Sequence, residues 1–64
     1  MIKEVIRNYK QYMIDNKLTQ QKAADKLHVS RSHLSRILHE ERAPSMALLM
    51  RMEEVMETGE SHKL

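Results

Sequence analysis

The sequence has no cysteine, one glycine and one proline in 64 residues, and no long apolar run. Without cysteine there is neither a disulfide nor a thiolate metal site, which suits a reducing compartment and leads us to expect a cytoplasmic protein. No apolar stretch approaches the roughly 20 residues of a membrane span, and the first residues lack the apolar core of a secretory signal. So little glycine and proline, with no long polar run, predicts regular helices joined by brief turns. The length allows one domain, which hides only about 60% of the surface exposed by its unfolded chain. Such a core holds without staples only when its helices are regular and its loops short.

Charge is present, and it is uneven. Residues 1–39 carry eight Lys/Arg against three acids, a net charge of +5, whereas residues 40–64 carry three against six, a net charge of −3. A basic front and an acidic back describe a molecule that meets a polyanion with one face only.

Apolar spacing predicts the helices. Over residues 1–16, Ile2, Val5, Ile6, Tyr9, Tyr12 and Met13 line one side, with Lys3, Arg7, Lys10 and Gln11 opposite and Ile14 off the stripe. Thr19 is an N-cap for a two-turn helix from Gln20 to Leu27 that buries Ala23, Ala24 and Leu27. After the tight turn His28-Val29, Ser30 caps a helix from Arg31 to about His39. Leu18 and Val29 each precede a cap, the position of a hydrophobic staple. Pro44 biases Ala43 away from helix, so residues 40–44 form a loop. Ser45 then caps a last helix from Met46 to about Glu57, ended by Thr58-Gly59, and residues 59–64 form a frayed tail.

The informative unit is LTQQKAADKLHVSRSHLSRIL, residues 18–38. Two short capped helices joined by so brief a turn cross steeply, and their close approach demands a small residue, the place taken by Ala24. Leu27, Val29, Leu34 and Ile37 supply the apolar pegs that lock the pair. The second helix then cannot bury its outer face. That face carries Arg31, Ser32, His33, Ser35, Arg36 and His39, with no acid. A helix of this width fits a DNA major groove about 12 Å across, where Arg donates to guanine and Ser or His make single contacts.

With Leu-Thr-Gln opening its first helix, the Ala23-Ala24 pair, Leu27, Val-Ser before the second helix, Ser-Arg-Ile-Leu and the loop ending Arg-Ala-Pro-Ser, the stretch resembles the helix-turn-helix of the phage lambda repressor and Cro family, the Xre type. The likeness extends through PSMALLMRMEEVM and more loosely over the first helix. It implies a compact all-α domain of four helices, or five, spanning residues 1–58 with the helix-turn-helix at about 19–39. It also implies a transcriptional regulator, most simply a repressor, that binds an inverted-repeat DNA operator as a homodimer. On the same basis Gln20 touches phosphate and braces the recognition helix, Arg31, Ser32 and Arg36 reach base edges, and His39 and Arg42 contact phosphate beyond it. His33 and Ser35 share that face and join the candidates. His28 stands where the family usually has a glycine in a left-handed turn, and the chain stops where many relatives add a fifth, dimerising helix.

Competing readings are poorer. The four histidines form no i, i+4 pair and no carboxylate completes a site, so neither a metal nor another cofactor is expected. A proton gained by His33 or His39 near DNA would strengthen binding at lower pH. There is no phosphate loop, cysteine nucleophile or triad, and little room for a pocket of about 300 Å³, so no enzyme is expected. The last helix is apolar over more than half its circumference, where one core stripe needs only about 100°. Either it is sunk deeply, or one edge, Leu48/Val55 or Met46/Met50, is buried in a second copy. The rival function is an antitoxin-like or anti-repressor module that docks a basic partner protein on Glu53, Glu54, Glu57 and Glu60. Such docking would not require an acid-free recognition helix.

Overall fold

In a computed structural model, which describes residues 2–61, the chain forms four α-helices: α1 (Ile2–Asp15), α2 (Gln20–Leu27), α3 (Arg31–Leu38) and α4 (Met46–Thr58). α1 packs chiefly on α4 and α2 on α3, while α2–α4 and α1–α3 contacts close the bundle. No helix among the described residues is long and apolar enough to cross a membrane.

Each of the last three helices starts at a hydroxyl cap in extended conformation. Thr19 Oγ1 accepts from the Lys22 amide at 3.1 Å, Ser30 Oγ from His33 at 3.1 Å and Ser45 Oγ from Leu48 at 3.2 Å. Each bond satisfies one amide that the helix itself leaves without a partner, an effect of about 1 kcal/mol.

The helix ends are less expected. All four helices finish with a left-handed residue, Lys17 (φ 53°), His28 (φ 60°), Glu40 (φ 61°) and Gly59 (φ 88°). At the first three the chain turns back on itself: Leu18 N–H reaches Met13 O, Val29 N–H reaches Ala24 O, and Glu41 N–H reaches Arg36 O. Those paired bonds satisfy last-turn carbonyls. Histidine enters this region more readily than most side chains, but Lys17 and Glu40 do so against steric resistance.

The core draws on every helix. Ile6, Tyr9 and Met13 meet Ala23, Ala24 and Leu27, then Leu34, Ile37 and Leu38, and finally Leu48, Leu49, Met52 and Val55. Leu18 and Val29 are half-buried against it. Tyr9 is fully buried, stacks on Tyr12, and donates its hydroxyl to Ala23 O at 2.9 Å, pinning α1 to α2. Burial, helped by Tyr12, pushes the Tyr9 phenol above its ordinary value.

Two expectations need correction. Leu48 and Val55 are spent in the protomer's own core, so that edge of α4 cannot serve a second copy; Met46 and Met50 are 72% and 62% exposed. Residues 59–61 are also no frayed tail. Lys26 Nζ donates to Gly59 O at 2.6 Å, and Ser61 Oγ donates to Lys26 O. Residues 62–64, the rest of the expected tail, lie outside the described residues.

Lys17→Gly relieves the left-handed strain against a smaller gain in unfolded-chain entropy, so we expect about 0.5–1 kcal/mol more stability. A thermal melt reads this as a midpoint a few degrees higher; an unchanged midpoint would refute the strain. Tyr9→Phe should cost about 1 kcal/mol at neutral pH. Above about pH 10 the unfolded chain releases the Tyr9 proton while the folded chain keeps it, so wild-type stability falls as pH rises. Urea midpoints should therefore converge for wild type and variant as the pH passes 10, and a constant gap would argue against the buried phenol.

Candidate nucleic-acid interface

α3 is eight residues long, too short to persist alone in water, and its inner face supplies what holds it. Leu34 and Ile37 are fully buried and Leu38 nearly so. Ala23 and Ala24, both at zero exposure, bring no bulk to the crossing with α2. Burying the inner residues at three- and four-residue spacing forces the intervening ones outward. Arg31, Ser32 and Arg36 are exposed, as is His39 just past the helix. His33 and Ser35 are half-buried and stand on the flanks of the face rather than its crest. No acid lies on the helix; Glu40 and Glu41 follow it, and Glu40 meets Lys3 at 3.8 Å in an exposed pair.

His39 has a defined orientation. Its Nδ1 lies 2.9 Å from the Ser35 carbonyl oxygen. A carbonyl only accepts, so Nδ1 carries the hydrogen and Nε2 is left free of that bond.

Gln20 is half-buried at the start of α2, and among the described residues its side chain makes no hydrogen bond that would brace α3. Instead it borders an open groove of about 390 Å³ together with His39, Lys10 and Lys17, with Met13, Ile14, Leu18 and Leu38 as its apolar lining. The groove unites Gln20 with His39 but leaves Arg31, Ser32, Arg36 and Arg42 outside; Arg42 is exposed in the α3–α4 connection. Lys10 and Lys17 are the candidates that sequence reasoning passed over. Lys10 read as a residue on the outer side of α1, and only packing sets it beside the start of α2, whereas Lys17 lies three residues before Gln20. Among the described residues no group of three or more His, Cys, Asp or Glu is placed to hold a metal ion.

A helix-turn-helix family model matches residues 10–62. The chain belongs to the Cro/C1-type helix-turn-helix family. No curated protein and no solved structure matches it. This helix-turn-helix protein is thus a DNA-binding regulator. In this helix-turn-helix the turn is His28-Val29 with Ser30 as cap, and left-handed His28 takes the place usual for glycine.

Proposed function

We propose that the protein is a repressor that reads the major groove of an inverted-repeat operator as a homodimer. The acid-free outer face of α3, with Arg31, Ser32 and Arg36 exposed, carries this reading. Arg31 and Arg36 would donate to guanine edges, with Ser32 beside them and Ser35 and His33 on the flanks. Gln20, His39 and Arg42 would set register on phosphate, and Lys10 and Lys17 would add charge next to Gln20. Two copies would place their recognition helices in successive major grooves about 34–36 Å apart. Exposed Met46 and Met50 are the apolar surface α4 offers to a second copy.

Selection of bound sequences from a random duplex pool should yield a palindromic motif. On the best site Arg36→Ala should cost roughly 1–3 kcal/mol and less on random DNA, whereas Arg42→Ala should weaken all sequences alike and lower the salt slope by about one. No enrichment, or equal losses on both duplexes for Arg36→Ala, would count against base reading.

A further inference from the structure

The last four carbonyls of α2, at Ala24, Asp25, Lys26 and Leu27, have no partner inside the helix. Two are satisfied by the turn itself, since Val29 N–H donates to Ala24 O and His28 N–H to Asp25 O, both at 3.1 Å. The other two are satisfied from the far side of the molecule. Arg51 of α4 donates through Nη1 to Leu27 O at 3.2 Å, and Ser61 Oγ donates to Lys26 O. Two further bonds tie the segment that carries Ser61 to α2 and its turn: Lys26 Nζ to Gly59 O at 2.6 Å, and His28 Nε2 to Ser61 O at 3.2 Å. Gly59 makes this possible with φ 88°, which ends α4 and turns the chain back toward α2.

We infer that Arg51 and Ser61 are positioning residues for DNA recognition, acting by capping α2 from α4 and its trailing segment and so fixing the turn from which α3 departs. The inference rests on the DNA reading above, because it concerns the aim of the recognition helix. Neither residue belongs to the face that α3 presents. Arg51 is half-buried, and its Nε, wholly covered, has no hydrogen-bond partner among the described residues. An arginine covered at that cost is held for the bond its outer nitrogen makes. Without it the Leu27 carbonyl loses its donor beside a turn already held left-handed by a non-glycine residue. Such a turn can relax by swinging α3. Contacts to base edges depend on that angle, whereas attraction to phosphate in random DNA depends on charge and tolerates it.

The test compares the whole chain with Arg51→Met, which keeps the stem and removes the donor, with Arg51→Lys, which restores one, and with Ser61→Ala. Two readouts are taken well below the melting temperature. Amide hydrogen exchange should quicken at His28 and Val29 in Arg51→Met and Ser61→Ala relative to amides within α1. Affinity for the selected duplex should fall about three- to tenfold in Arg51→Met while affinity for random duplex stays within about twofold, and Arg51→Lys should recover most of the loss. Should Arg51→Met fail to fold, Ser61→Ala carries both readouts with a smaller expected loss. Unchanged exchange at the turn, or equal losses on both duplexes, overturns the inference. If the wild-type chain prefers no duplex, the DNA reading fails on its own, and the exchange data still decide whether Arg51 and Ser61 hold the turn.

Discussion

The burial of Leu34, Ile37 and Leu38 against the small faces of Ala23 and Ala24 is the contact on which the remainder depends. An eight-residue helix has too few internal bonds to offset the cost of starting it. Burying aliphatic side chains of this size contributes about 1.5–3 kcal/mol each, and only that makes α3 a persistent object. The same contact decides which residues are left over. Arg31, Ser32 and Arg36 face outward because their neighbours in register face inward, so the outer surface of α3 is the complement of the core.

A fold this small also has little tolerance for unsatisfied backbone at its helix ends. Hydroxyls at Thr19, Ser30 and Ser45 deal with the starts locally. The ends are handled by left-handed turns, three of them without glycine, and α2 needs help from α4 as well. The turn of the helix-turn-helix is therefore not a self-contained unit. Its geometry is shared between the two helices it joins and a third that never approaches the recognition face.

The uneven charge along the chain becomes a spatial arrangement in the folded protein. Lys10 of α1 and Lys17 just after it join Gln20 and His39 around one groove, and the arginines of α3 lie outside it, exposed. Exposed glutamates at 53, 57 and 60 belong to α4 and the segment after it, and none of them borders that groove. Met46 and Met50 are the apolar side chains that α4 leaves uncovered, so the choice between its two edges is made by the packing of Leu48 and Val55.

Local chemistry alone determined where the helices start and roughly where they stop. Hydroxyl caps and apolar spacing are properties of neighbouring residues, and α2 came out with the bounds expected, α3 and α4 within a residue of theirs. The left-handed turn at His28 was legible from the family resemblance. Other features needed the tertiary structure. That Tyr9 would bond Ala23, that Lys10 would come beside Gln20, and that residues 59–61 would fold back on α2 all join positions well separated in the chain. Left-handed Lys17 and Glu40 were hidden too, because neither side chain favours that backbone and only the packing of the helices on either side compels it. A sequence displays periodicity and caps because they act over a few residues; it conceals long-range hydrogen bonds because their partners are chosen by the way whole helices pack.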